Sequence, residues 1–208
     1  STIWNMTDYG FIDAEGDNAT ATVNPSLWRQ AALNNIHGLF EVTEGIYQIR
    51  GYDLANMTII AGDSGWIIVD PLTARENASR AWQFAKQHLD DKPVKAILFT
   101  HSHLDHFGGV AGIKELLSEQ ESAELVIYAP GGFVDEATSE NIIAGTAMTR
   151  RAMFMYGKNL ARNERGHVGT GLGKAPSFGS FGFAKPTVVI TEENLQQEID
   201  GVAFEFQI

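Results

Sequence analysis

The sequence predicts an α/β fold of the layered α+β kind, with helices packed on a sheet. Three short β-rich runs, 46–50, 57–60 and 66–69, are separated by glycine- and aspartate-containing turns, as in a strand meander. A helical pattern over 74–89 then leads into the wholly apolar run 96–99. A second helix and a further strand follow, and this alternation is typical of domains in which helices cover a sheet.

The later elements follow from the same rules. Pro93 lies beyond the end of the first helix, the second helix is predicted over 110–117, and the next strand over 125–128. We expect a helix over 137–157. The stretch 166–182 holds six glycines, and we therefore expect it to be a loop.

The two ends of the chain carry their own expectations. Residues 1–44 are polar and irregular with single aromatic residues, so we predict an N-terminal arm laid over a larger domain of residues 45–208. Within the arm, Ser26 is expected to cap a short helix. Strands are predicted over 186–190 and 202–206. The chain ends at Ile208 in what we interpret as the middle of a strand, where domains rarely stop, so we expect the domain to be cut short on its C-terminal side.

Composition excludes several classes of function. The 208 residues are 44% hydrophobic, which supports a sizeable core. Lysine and arginine number 15 against 26 aspartates and glutamates, and the net charge of −11 disfavours binding to nucleic acid. No apolar run reaches the ~18–20 residues that a membrane-spanning helix needs. There is no cysteine, so any metal ion must be held by nitrogen and oxygen.

Four side chains that bind metals well follow the apolar strand within six residues: His101, His103, Asp105 and His106. The two residues His101 and His103 are two positions apart, so an extended segment projects both to one side. A turn toward the next helix presents Asp105 and His106 as a second pair. Two adjacent pairs suit two neighbouring metal ions. The alternative is a chance cluster of surface histidines, which the order H-x-H-x-D-H directly after a buried strand disfavours.

This motif resembles that of the metallo-β-lactamase superfamily, which implies an αββα sandwich of which only the N-terminal half is present. The resemblance assigns His101 and His103 to one zinc ion and the Asp105–His106 pair to a second. Asp105 is also the candidate catalytic residue. The strand-end Asp70 resembles an aspartate that orients a ligand histidine. An Asp-Pro turn or a helix cap is an equally good interpretation of Asp70.

Other segments resemble the alkylsulfatase branch of this superfamily, and the similarity extends over nearly the whole chain. These segments are 24–30, 51–58, 129–133, 139–141, 147–152 and 155–157. The resemblance implies a zinc hydrolase with two zinc ions per catalytic domain, acting on alkyl sulfate esters such as dodecyl sulfate. It also implies a homodimer and a periplasmic or secreted location.

In that branch, two glutamates and one histidine complete the two zinc sites, and they follow the strand that corresponds to Phe206 and Gln207. We therefore expect these ligands beyond Ile208. Zinc supplies an activated water, which would cleave the ester to an alcohol and inorganic sulfate.

Alternatives remain open at this point. The alternatives to an alkylsulfatase are a hydrolase of a thioester, lactam or phosphodiester, a di-iron redox protein of the same superfamily, and an inactive fragment. Met148 and residues 153–156 line a groove for an alkyl chain or form an ordinary helix core, and we favour the core. Arg150 and Arg151 are expected on a solvated helix face, and His167 is expected to be an exposed loop residue.

Overall fold

A seven-stranded mixed sheet is the centre of the computed structural model, which describes residues 5–13, 15 and 17–208. The strands lie in the sheet in chain order. They are β1 (Gly38–Thr43), β2 (Ile46–Arg50), β3 (Met57–Ala61), β4 (Trp66–Val69), β5 (Val94–Leu98), β6 (Val126–Pro130) and β7 (Val188–Ile190). The first four form an antiparallel meander, and each of the last three lies parallel to the strand before it.

Helices make the crossovers between the parallel strands. The helices are α1 (Pro25–Leu33), α2 (Arg75–Lys86), α3 (Leu104–Phe107), α4 (Val110–Lys114), α5 (Glu119–Glu124), α6 (Phe133–Thr138) and α7 (Gly145–Tyr156). A π-helical segment, Ser139–Ile143, joins α6 to α7. None of these helices is long and apolar enough to cross a lipid bilayer.

The two faces of the sheet are covered differently. On one face, Ile59, Ile68 and Ile97 pack in a core with Trp82 of α2 and Ile113 of α4. The other face is covered by a hairpin of two further strands, β8 (Leu195–Ile199) and β9 (Val202–Phe206). The described residues thus build a helical layer, a sheet and the start of a second sheet, which agrees with the predicted αββα order.

The turn of this hairpin is fastened to the large sheet. The carboxylate of Asp200 accepts hydrogen bonds from the backbone N–H and hydroxyl of Ser64 and from the backbone N–H of Gly65. A Cβ at Gly62 would overlap Asp200, and one at Gly201 would overlap Asp63. Two glycines therefore allow the turns to approach closely, and this contact sets the position of the second sheet on the first.

Most predicted elements are confirmed, with shifted ends. The helix predicted over 137–157 is wrong as one element, because the π-helical segment separates α6 from α7. The strand β8 and the helix α5 are absent from the prediction. The cap of α1 is not Ser26 but Asn24, whose side chain accepts a hydrogen bond from the Ser26 N–H.

The predicted arm, 1–44, includes residues 1–4, 14 and 16, which lie outside the described part of the chain. Strand β1 falls inside this segment, so the sheet begins before residue 45. The rest of the described arm packs as a separate cluster in which Tyr9, Trp28 and Val168 are buried. The division into an arm and a domain stays a prediction.

A buried carboxylate ties three loops together beside the sheet. Asp53, in the loop after β2, accepts hydrogen bonds from the backbone N–H groups of Leu54, Thr73 and Ser177. It also accepts hydrogen bonds from the hydroxyl groups of Thr73 and Ser177. Asp53 is only 3% exposed, so these five donors replace the water that its carboxylate loses on burial.

Substitution of Asp53 is expected to be costly. Asp53→Ala leaves five hydrogen-bond donors without their acceptor. Because each buried donor without a partner costs free energy, we expect the free energy of unfolding to fall by about 3–5 kcal/mol. Urea denaturation followed by circular dichroism measures this change. Asp135→Ala, on the exposed side of α6, is the matched control and should change stability by less than about 0.5 kcal/mol. Equal stabilities of the two variants would contradict the proposed anchor.

Candidate metal centre

The sheet brings the predicted donors to one edge. Because β4 and β5 are parallel neighbours, their carboxyl ends lie side by side. Asp70 directly follows β4, and the segment that starts at Thr100 follows β5 after one further residue. Loops at the carboxyl ends of parallel strands are the usual place for binding sites in such sheets.

Close packing between two backbone segments holds the donor loop in place. A Cβ on Gly108 would overlap the carbonyl oxygen of Thr73, and one on Gly109 would overlap that of Pro71. The N–H of Gly109 donates to the carbonyl of Leu72 at 2.8 Å. Glycine at both positions is therefore what permits this close backbone approach.

The backbone on the other side of this contact is strained. Asp70 and Leu72 have positive φ angles of 55° and 65°, a conformation that is uncommon for residues with a side chain. Such strain persists where the surrounding structure over-determines it, and it concentrates at functional sites. The fold therefore holds Asp70 in one orientation, toward the donor loop.

The four predicted donors meet as two pairs. Nε2 of His101 lies 3.0 Å from Nδ1 of His103, and Nε2 of His106 lies 3.3 Å from Oδ2 of Asp105. The rings of His101 and His106 are 4.0 Å apart between centroids, so the two pairs are neighbours. All four residues that the sequence selected are thus brought together.

Asp70 holds this cluster from behind. Its carboxylate lies 2.7 Å from Nδ1 of His106 and accepts the N–H and the hydroxyl of Thr100 at 2.8 and 2.7 Å. Of the two interpretations of Asp70, the structure favours the one in which it orients a histidine. With Nδ1 of His106 bonded to the carboxylate, Nε2 points away from Asp70 and toward Asp105.

The hydroxyl of Thr100 fixes the tautomer of His101. Its single proton is donated to Asp70, so toward His101 Nδ1, at 3.0 Å, it acts as the acceptor. The proton of His101 therefore sits on Nδ1 and the lone pair on Nε2, which faces His103. Sequence reasoning missed Thr100, although its position between the strand and the motif is visible in the sequence.

Charge within the cluster shifts three pKa values. Burial lowers the pKa of His106, but hydrogen bonds to Asp105 and Asp70 outweigh it and raise the pKa to about 9. Burial raises the pKa of Asp105, but the hydrogen bond and charge of His106 outweigh it and leave the pKa below its usual value. Burial and the neighbouring histidines lower the pKa of His101. In the absence of a metal ion, protonated His106 thus lies between two carboxylates, with one N–H toward each.

The donor set suits zinc. Imidazole nitrogen and carboxylate oxygen are ordinary zinc ligands, and two ligands on one tetrahedral ion lie roughly 3.3 Å apart for bonds of about 2.0–2.1 Å. The two pairs, at 3.0 and 3.3 Å, have this spacing. In the described part of the chain, no three His, Asp or Glu side chains already surround one point. Each pair supplies two ligands, and zinc takes four, so further ligands are needed.

An apolar cavity of about 540 Å³ lies beside the donor loop. Its lining includes Leu104 and Phe107 of α3, Met148 of α7, and Phe183. Glu140 of the π-helical segment is a polar group in the lining. The cavity is large enough for a small apolar ligand, and its lining residues Leu104 and Glu140 lie beside the charged cluster.

Other predictions for this region need correction. The favoured interpretation of α7 as helix core is wrong, because α7 buries no residue and Phe154 is 94% exposed. Met148 does line the cavity, whereas the described lining does not include residues 153–156. His167 is buried and not exposed, with Nδ1 3.0 Å from the hydroxyl of Tyr9. Arg150 and Arg151 are exposed, as predicted.

Comparisons with known proteins agree with this geometry. The profile of the "Metallo-beta-lactamase superfamily" matches residues 50–191. A linear primary-alkylsulfatase of a Pseudomonas species is 48% identical over 98% of this chain and 30% of the relative. The alkyl/aryl-sulfatase BDS1 of Saccharomyces cerevisiae is 46% identical over 99% of this chain and 31% of the relative.

The fold is also found in a solved structure. The stereoselective inverting sec-alkylsulfatase Pisa1 of a Pseudomonas species superimposes with a TM-score of 0.89 and 44% identity, over 99% of this chain and 32% of that chain. The present chain thus spans about a third of the length of these three proteins. The predicted fold is confirmed over that part.

The pKa of His106 leads to a test by stability. A histidine whose folded pKa is raised from 6.5 to about 9 stabilises the fold fully below pH 6.5 and loses that contribution as the pH rises through 9. With a chelator present, we expect the unfolding free energy to fall between pH 6.5 and 9 by about 2 kcal/mol more than in His106→Gln. Denaturant titrations at several pH values measure it. His37→Gln, at an exposed histidine, should show the same decline with pH as the unsubstituted protein. A difference in unfolding free energy between the unsubstituted protein and His106→Gln that does not change with pH would contradict the raised pKa of His106.

Proposed function

Because the chain belongs to the metallo-beta-lactamase superfamily, we propose that this protein is a metal-dependent hydrolase of alkyl sulfate esters, such as dodecyl sulfate. The products are an alcohol and inorganic sulfate. The observation that carries the proposal is the identity of 48% and 46% with two sulfatases, across nearly the whole chain. The two donor pairs at the sheet edge support it as chemistry.

Zinc is the proposed metal, with two ions in one centre. His101 Nε2 and His103 Nδ1 would hold one ion, and Asp105 and His106 Nε2 would hold the other. When bound, such ions lower the pKa of a water to near neutrality and offset the charge of a sulfate. That second contribution is needed, because the chain has a net charge of −11 and repels anions in general.

The protein groups around the centre have separate tasks. Thr100 keeps the proton of neutral His101 on Nδ1, so its Nε2 presents a lone pair. Asp70 holds the Nδ1–H of His106, so a cation would replace the proton on Nε2 and leave the Nδ1–H in place. Asp105 contributes a carboxylate oxygen beside His106, and we propose that it positions the attacking water. The strained loop at Asp70 and the glycine contacts keep these groups pre-organised.

The cavity beside the centre is the proposed site of the alkyl chain. Its apolar lining comes from α3, α7 and the loop around Phe183. An alkyl chain in this cavity would place the sulfate group at the open end, near the donor loop. The methionine of the lining, Met148, adapts its flexible side chain to chains of different length.

The homodimeric state and the periplasmic or secreted location stay predictions, and the resemblance is their support. A phosphodiester, thioester or lactam substrate is the competing possibility. Turnover of dodecyl sulfate, compared with a phosphodiester, separates the two. Turnover of the phosphodiester alone would overturn the proposed substrate class.

Loss of one histidine should remove both metal and activity. For His103→Ala, we expect about one zinc ion fewer per chain by mass spectrometry and a fall in dodecyl sulfate hydrolysis of more than about 100-fold, because a ligand is lost. His88→Ala, at an exposed histidine after α2, is the matched control and should retain both. Normal activity of His103→Ala would contradict the assigned centre.

A charge placed in the cavity should discriminate between substrates by length. For Met148→Glu, we expect the KM for dodecyl sulfate to rise by about 10-fold or more, since an apolar chain in the cavity would displace water from the new carboxylate. The KM for a short-chain alkyl sulfate should change much less. Ala147→Glu, an exposed position of the same helix that does not line the cavity, is the control. An equal rise for both substrates would contradict the alkyl-chain site.

A further inference from the structure

The second histidine of the cluster, His103, has its own acidic partner. Its Nδ1 faces His101, and its other nitrogen, Nε2, lies 3.5 Å from Oε1 of Glu140. The motif itself does not contain Glu140, which comes from the segment between α6 and α7. Sequence distance hides this pairing, because 37 positions separate residues 103 and 140.

The outer nitrogens of the three histidines follow one pattern. Nδ1 of His101 is held by Thr100, and Nδ1 of His106 is held by Asp70. For His103 the corresponding outer nitrogen is Nε2, and Glu140 is the group that faces it. Metal-binding histidines regularly donate their outer N–H to a carboxylate or carbonyl, which fixes the tautomer.

The local backbone of Glu140 is unusual. It lies in a π-helical segment, Ser139–Ile143, and such segments are rare and frequent at functional sites. Its side chain is 23% exposed, whereas Ile142 and Ile143, two and three residues later, are 76% and 80% exposed. The extra residue in the helical turn thus leaves two apolar side chains in solvent while the acidic one lies inward, against the donor loop.

We propose that Glu140 is a positioning residue for the metal centre. Its carboxylate accepts the Nε2–H of His103, and this leaves the lone pair of His103 on Nδ1, facing the lone pair on Nε2 of His101. A divalent cation then satisfies both. The proposal rests on the proposed metal centre and adds to it the group that sets the tautomer of the second ligand.

The contact is weaker than that of Asp70. At 3.5 Å, Glu140 is within ion-pair range of His103 but beyond the 2.7 Å at which Asp70 holds His106. His103 is also the more exposed of the two imidazoles, at 61% against 23%. Loss of Glu140 should therefore weaken the centre without dismantling it.

Zinc affinity and the tautomer of His103 together test the proposal. Affinity is measured by competition with a chromogenic chelator, and the tautomer by ¹⁵N NMR of the imidazoles in the zinc-loaded protein. For Glu140→Ala we expect zinc affinity to fall roughly 10- to 100-fold, as for other partners of metal-binding histidines. For Glu140→Gln, whose amide oxygen still accepts a hydrogen bond, we expect a smaller fall and a retained Nε2–H tautomer.

The control is Glu136→Gln, which makes the same change of charge at an exposed position of α6. Its zinc affinity should stay within about twofold of the unsubstituted protein. If Glu140→Ala does not fold, as circular dichroism would reveal, Glu140→Gln decides alone, because it preserves the size of the side chain. It must then bind zinc more weakly than Glu136→Gln.

The possible results separate this inference from the proposed function. Unchanged zinc affinity in both Glu140 variants, with a large loss in His103→Ala, overturns the role of Glu140 and leaves the metal centre intact. Unchanged affinity in His103→Ala overturns the centre itself. A rise in KM for alkyl sulfate without a change in zinc affinity would place Glu140 in substrate binding, and would also overturn the proposal.

Discussion

The carboxylate of Asp70 is the contact on which the candidate centre depends. It follows one strand of a parallel pair, and it binds both the first residue of the donor loop, Thr100, and the last histidine, His106. Through Thr100 it also determines where the proton of His101 lies. One acidic group at a sheet edge therefore aligns two imidazoles, and it does so from a residue with a positive φ angle, next to the segment that packs against the two glycines.

Local patterns in the sequence were sufficient for the strands and the donors. The runs 46–50, 57–60 and 66–69 alternate or are wholly apolar between turns, and they form strands within one residue of those limits. The four donors lie next to one another in the chain, so their proximity in space needed no knowledge of the fold. The role of Asp70 required one further step, the parallel pairing of β4 with β5.

Features that depend on distant contacts were not predictable in the same way. Strand β8 has the sequence LQQEI, in which only the first and last residues are apolar. It forms because β9 pairs with it over the sheet. The π-helical segment has no simple pattern, since one inserted residue changes the helix without changing its composition. Glu140 and the burial of His167 likewise depend on which segments pack together, and a single sequence does not contain that information.

The donor loop and the cavity are built from different parts of the chain. The loop rests on residues 70–75 through backbone contacts that tolerate only glycine at Gly108 and Gly109. Most of the cavity comes from side chains of the segments 137–149 and 181–183. Related proteins can therefore diversify what they accept by exchanging these side chains, while the reactive groups stay unaltered. A side chain at Gly108 or Gly109, in contrast, would displace the donor loop itself.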